Sequence, residues 1–152
     1  MAGLSGCVDN EEVKGIRMTF EEFANEFNQS MDNETKTIVY WFESLDDGDT
    51  LIIRDTINNT IYSEPVQYSS VEFVSSPGTS FPIEGNITGT FKKGETVEIE
   101  LHIINTTFTM QYPSTGELWT FTVETFQEGW DNETHDYIPI PPECIRKVTS
   151  KI

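Results

Sequence analysis

Six asparagines stand two residues ahead of a serine or threonine: Asn28, Asn33, Asn58, Asn86, Asn105 and Asn132. An N-x-[ST] triplet is the acceptor for N-glycosylation, a modification made outside the cytosol on exposed backbone. The chain has nine asparagines in all, and chance would place only about two of them in such triplets. The excess points to a polypeptide that is exported.

Other residues with chemical potential are sparse. His102 and His135 are the only histidines, and so the only side chains that ordinarily titrate near neutral pH. His102 falls on the polar side of an alternating stretch. His135 lies in Asp131-Asn132-Glu133-Thr134-His135-Asp136, where hard-metal ligand types crowd a sequon and an exposed acidic loop is the simpler account. Asp46, Asp47 and Asp49 offer oxygens to Ca²⁺, but they lack the alternate spacing and distal glutamate of an EF-hand, and an ordinary turn at Gly48 explains them. Glu98 and Glu100 share a strand face, but two solvated glutamates make no acid–base dyad without a desolvating pocket. No HExxH, G-x-S-x-G, P-loop or G-x-G-x-x-G occurs. The sequence therefore predicts no catalytic site and no resident cofactor. Trp119 and Trp130 are the interaction candidates, with Trp41, Tyr40 and Tyr112 as further members of an aromatic platform for a protein or glycan partner.

Near the start of the chain, Leu4-Ser5-Gly6-Cys7 resembles the lipobox of prokaryotic lipoproteins, in which the cysteine receives a thioether-linked lipid. The resemblance covers four residues. It implies lipid attachment at Cys7 and a membrane partner reached through that anchor. No basic segment and no apolar run precede Leu4, so Met1-Ala2-Gly3 has the look of a truncated or engineered start. Lipoboxes belong to bacteria and archaea, and dense sequons resemble archaeal or eukaryotic surface proteins. Their overlap is an archaeal cell-surface lipoprotein, which implies residence on the extracellular face of the cytoplasmic membrane. Cys144 is then a lone thiol or a small buried residue; a disulfide with Cys7 is the alternative that an oxidising exterior permits.

The 152 residues carry 26 acidic and 9 basic side chains, a net charge of −17. Such a charge repels phosphate backbones, and nucleic acid is not an expected partner. Ten phenylalanines supply the large apolar area that one domain needs for a core. We divide the chain into a leader over 1–17, a β-rich domain over 18–137 and a proline-rich tail over 138–152.

One helix is expected, at the front of the domain. Thr19 is a good N-cap, Glu22 completes a capping box, and Phe20, Phe23, Ala24, Phe27 and Met31 recur at helical spacing. Strands follow. Ile38–Phe42 is apolar on both faces, as in a central strand, and Leu51–Ile57 and Thr60–Ser63 form a hairpin with Asn58-Asn59 at its tip. Shorter strands are placed at Val66–Tyr68 and Val71–Ser75. Thr96–Ile103 alternates cleanly, Asn105 marks an exposed bend, Thr107–Tyr112 returns, and Trp119–Val123 continues the sheet. Gly48-Asp49-Thr50-Leu51-Ile52-Ile53 and Gly94-Glu95-Thr96-Val97-Glu98-Ile99 share one form, a glycine turn feeding a strand.

The stretch from Phe91 to Val97 resembles the strand entry of OB-like barrels, a likeness that extends over residues 36–126. The expected fold is a mainly β, small antiparallel barrel preceded by one short helix, with an immunoglobulin-like sandwich as the alternative. A known departure is the helix, which OB-folds place between the third and fourth strands. Three functions are carried forward: a surface-anchored, non-enzymatic binding or interaction module; a structural subunit of an envelope complex, docked by the Phe20/Phe23/Phe27 face or by the proline-rich tail; and a secreted hydrolase using carboxylates or a cation beside a histidine.

Overall fold

The computed structural model describes residues 14–148. The lipobox-like Leu4–Cys7 lies outside them. The protein is mainly β, with eleven strands and one α-helix among the described residues.

Two long strands organise everything else. These are β4 (Thr50–Ser63) and β7 (Thr96–Gln111). Their first halves pair antiparallel, from Thr50 against His102 to Thr56 against Thr96. Beyond that shared ladder each runs on to build its own wing. The second half of β4 pairs with β5 (Tyr68–Phe73), which pairs with β6 (Ser80–Glu84). The second half of β7 pairs with β8 (Leu118–Phe126), which is joined in parallel by β3 (Thr37–Phe42) and then antiparallel by β2 (Phe27–Asp32). The sheet therefore runs β2-β3-β8-β7-β4-β5-β6, with β1 (Ile16–Met18) parallel to β4 and β11 (Ile145–Lys147) antiparallel to β7. The two ends of the path are β2 and β6, and no ladder among the described residues joins them. A separate two-stranded ribbon, β9 (Trp130–Asp131) and β10 (Asp136–Tyr137), follows β8.

The alternating residues of the shared ladder form the heart of the core. Leu51, Ile53, Val97, Ile99 and Leu101 are all sealed from solvent, and the phenylalanines of both wings pack on them. Each fully buried side chain of this size contributes about 1.5–3 kcal/mol of transfer free energy. Three guanidiniums, all that the chain possesses, converge on buried Glu98 of β7: Arg17 Nε at 3.1 Å, Arg146 Nη2 at 3.1 Å and Arg54 Nη1 at 3.6 Å. They come from β1, β11 and β4, so one carboxylate fastens four strands.

The helix α1 (Phe20–Ala24) has the expected capping box: Glu22 N–H donates to Thr19 Oγ1 at 3.1 Å and Thr19 N–H to Glu22 Oε1 at 2.8 Å. A second cap comes from β4, where Asp55 Oδ2 accepts from Phe20 N–H at 2.9 Å. The helix is shorter than its apolar spacing predicts. It ends at Ala24, and Phe27 and Met31 sit on β2. Residues four apart share a face in a strand as well as in a helix, and here the pairing with β3 decides between them.

Several strand boundaries also differ from expectation. Asn58-Asn59 is not a hairpin tip but a register shift inside continuous β4, and the turn comes at 64–67. Val66 is in that turn, and one strand, β5, replaces the two short ones. Asn105 is mid-strand in β7, exposed but not at a bend, because Ile103–Gln111 simply changes neighbours from β4 to β8. In β3 only one side is fully covered: Ile38 and Phe42 are buried, whereas Val39 and Trp41 face solvent. The proline-rich segment lies extended against β6, with Ile140 N–H donating to Pro82 O and Glu84 N–H to Ile140 O. Ile140 is fully buried, and β11 then adds to the central ladder, so residues 138–147 are woven into the sheet.

Candidate binding groove

Where the ends of the sheet path approach each other, the protein has an apolar groove of about 540 Å³. Its floor is made of aromatic rings from both wings. Phe23 of α1 stacks on Phe81 of β6, with centroids 6.5 Å apart, and meets Phe126 of β8 edge-on at 5.8 Å. Phe20 packs on Phe73 and Phe81 at 5.4 and 5.8 Å. The helix thus wedges its two buried rings between the wings, and its capping box and Asp55 hold it there.

One wall is β2, through Phe27, Asn28 and Gln29; the other is 79–82, leading into β6. Ala24 on the helix, Tyr40 on β3, Tyr137 at the end of the β9–β10 ribbon and Ile138 just after it complete most of the lining. Phe27 is 45% exposed and Tyr137 53% exposed, unusual for aromatics already in ring contact with the core. No carboxylate, histidine, lysine or arginine lines this groove. The tyrosine hydroxyls are its only ionisable groups, and burial pushes Tyr137 above the usual phenol range. The arrangement can hold apolar or aromatic matter, but it supplies no general base.

Tyr40 and Tyr137 also line a second hollow of about 320 Å³, so the two are neighbours. Here Phe108 stacks on Phe121 at 5.2 Å and on His135 at 3.9 Å, under the ribbon carrying Trp130. Trp130 is half-buried and its Nε1, like His135 Nδ1, is enclosed without a hydrogen-bond partner among the described residues. Of the two tryptophans expected to face a partner, Trp130 lines this second hollow and Trp119 lines neither. Trp119 is 3% exposed, packed on Tyr112 and beneath Lys36, so it offers no surface to a partner. Sequence spacing places the groove phenylalanines only in a core or on a helix face; the signal that marks them is the density of Phe between 20 and 27, too rich for one short helix to bury.

The remaining candidates lie elsewhere. Asp46, Asp47 and Asp49 form the turn at Gly48, and Asp49 Oδ2 accepts from Asp46 N–H at 2.8 Å, a role inside the turn. Among the described residues no three histidine, cysteine or acidic side chains are grouped to hold a metal ion. Asp131 closes its own loop by accepting from Glu133 and Thr134 N–H, which holds its carboxyl below the usual range. His102 is flanked by Glu128 and Glu100, with Nδ1 2.5 Å from Glu128 Oε2 and Nε2 3.5 Å from Glu100 Oε2. The hydrogen bond to Glu128 raises its pKa against a partial desolvation, but this cluster is on an exposed strand face and lines none of the cavities described here. Cys144 forms no disulfide among the described residues, and burial pushes its thiol up to about 11, away from reactivity.

The sequon asparagines divide by environment. Asn33, Asn86, Asn105 and Asn132 are exposed. Asn28 and Asn58 are half-buried, and their amide nitrogens donate to Glu43 at 3.0 Å and Glu72 at 3.1 Å.

Comparison with protein-family models, curated proteins and solved structures finds no match in any of the three.

Proposed function

We propose that the protein is a non-enzymatic binding module, exported and held at the outer face of the membrane by lipid on Cys7, and that its working surface is the aromatic groove between β2 and β6. The observation that carries the binding role is that groove: exposed Phe27 and Tyr137 beside a floor of closely packed rings at a gap in the sheet, with no acid–base pair in the lining. The anchored setting rests on the lipobox-like tetrapeptide and the sequons. A groove for ligand on a rigid scaffold is the usual form of a binding site.

The finer architecture belongs to the same reading. The sheet is an OB-like barrel left open between β2 and β6, in preference to an immunoglobulin-like sandwich, because α1 bridges the gap with ring contacts to both sides. The accessory-subunit reading loses part of its docking face, since Phe20 and Phe23 are buried. The hydrolase reading needs two or three carboxylates converging beside a histidine, and the hollow under the ribbon holds His135 with one carboxylate, Asp136, among the described residues.

The test is a titration with Nile red, a neutral apolar dye, on wild type and on Ala24→Trp, which fills the groove from an exposed helix position. Wild type should bind with enhanced fluorescence and the variant about tenfold more weakly. Equal binding by both proteins, or none by either, would remove the groove from the account. Intact mass of protein taken from its native membrane tests the anchor, by the mass of lipid on Cys7.

A further inference from the structure

The ladder between β2 and β3 has a definite phase. Glu43 N–H donates to Glu26 O at 2.8 Å, and the register continues without a break from Phe27 against Phe42 to Asp32 against Thr37. In an antiparallel pair the bonded positions alternate. Asn28 and Ser30 therefore turn their backbone groups toward β3, while Phe27, Gln29 and Met31 turn theirs away, toward the gap facing β6. Among the described residues that edge has no strand partner over its six residues. Its protection is slight: no lysine, no proline, one charged residue, Asp32, at its far end, and two exposed apolar side chains, Phe27 and Met31.

Charge selects what can approach. The segments that supply most of the lining, taken with their flanks as 19–34, 79–86 and 118–141, contain Glu21, Glu22, Glu26, Asp32, Glu84 and Asp136 among their acids, all outside the lining itself, and no lysine or arginine at all. A second copy of this chain, itself at −17, would bring the same sign to the same edge. A cationic partner meets a complementary field.

We infer that the groove receives an extended polypeptide segment, apolar with interspersed lysine or arginine, which adds as a strand to the free edge of β2 and seats alternate side chains on the Phe23/Phe81 floor. This rests on the groove being the binding surface and adds the partner class and the mode. Main-chain hydrogen bonds to Phe27, Gln29 and Met31 supply affinity, and the floor reads alternate side chains. The incoming strand occupies the gap that separates β2 from β6.

The probe is a short capped peptide alternating lysine with phenylalanine and valine, titrated by amide NMR. The expected result is saturable binding with the largest shifts at Phe27, Gln29 and Met31. A peptide N-methylated at alternate residues should bind at least about tenfold more weakly, and so should one with glutamate replacing lysine. Met31→Pro removes an outward donor without touching the β3 ladder, at an edge position outside the groove lining where proline is tolerated. It should keep Nile red binding and lose the peptide. Equal affinity for the methylated and unmethylated peptides would overturn strand addition. Nile red binding without peptide binding would overturn the polypeptide partner while leaving the groove; loss of both would sink the groove as well. Concentration-dependent dimers of the protein alone, abolished by Met31→Pro, would hand the edge to a second copy and end the proposal.

Discussion

Gly48 and Gly94 are related by an approximate two-fold axis that passes between Ile53 and Ile99. Gly48 N–H donates to Ile103 O at 2.9 Å and Gly94 N–H to Ile57 O at 2.8 Å; Ile103 and Ile57 return bonds to Asp49 O and Glu95 O, both at 2.9 Å. The acidic side chains repeat the pattern, Asp49 accepting from Asp46 N–H and Glu95 from Lys92 N–H. The shared form of the two sequence segments is thus a shared structure, and the two long strands enter the sheet through equivalent turns.

That equivalence predicts matched mutational costs. Both glycines have positive φ, +96° and +91°, with open space where a Cβ would stand, so the penalty of alanine is conformational alone. Gly48→Ala and Gly94→Ala should each lose about 1–2 kcal/mol in urea unfolding. Gly89→Ala, with equal space and no positive φ, should lose nothing measurable.

Glu98 is the tie among four strands. Burial alone raises its carboxyl pKa, and hydrogen bonds from Arg17 and Arg146 outweigh that and hold it below the usual range. Glu98→Ala should lower stability by about 2–3 kcal/mol. That is less than the about 3–5 kcal/mol of a fully buried pair, because the guanidiniums remain partly exposed. A depressed carboxylate gives stability that is present above its unfolded pKa and lost as pH falls through the folded value. The acid limb of wild-type unfolding should therefore flatten in Glu98→Gln.

His102 has the opposite sign. Its folded pKa is raised, first by the bond to Glu128, so the protonated form stabilises the fold. The contribution is complete below its unfolded pKa of about 6.5 and disappears as pH climbs through the folded value. Arg146, which bonds Glu100 at 3.0 Å, competes for one of the two carboxylates facing the ring. His102→Gln should abolish this pH dependence on the neutral side, measured as melting temperature against pH.

Sequon use should follow side-chain exposure. Peptide mapping of protein from its native source should find sugar at Asn33, Asn86, Asn105 and Asn132, and bare asparagine at 28 and 58. Glycan at Asn58, whose amide is tied across the ladder to Glu72 of β5, would contradict the environment described.

Legibility in the sequence tracked range. The capping box at Thr19 and Glu22 and the turns at Gly48 and Gly94 are local, and one segment contains every group they need. The alternation of Val97, Ile99, Leu101 and Ile103 shows which face is buried, but it cannot say that β7 changes partners after His102. The spacing of Phe27 and Met31 suits both periodicities, so β2 was hidden inside a helix reading. Neither the meeting of Arg17, Arg54 and Arg146 on Glu98 nor the approach of Phe23 to Phe81 has a local signal. The groove depends on both kinds of contact: a local cap that holds α1 and long-range pairings that leave β2 and β6 at the ends of the sheet.

The most direct measurement is amide and aromatic NMR of the isolated domain titrated with Nile red. The account predicts perturbations gathered at Phe23, Phe27, Phe81, Phe126 and Tyr137. Perturbations gathered instead at the outward-facing Val39, Trp41 and Leu118, or none at saturating dye, would contradict it.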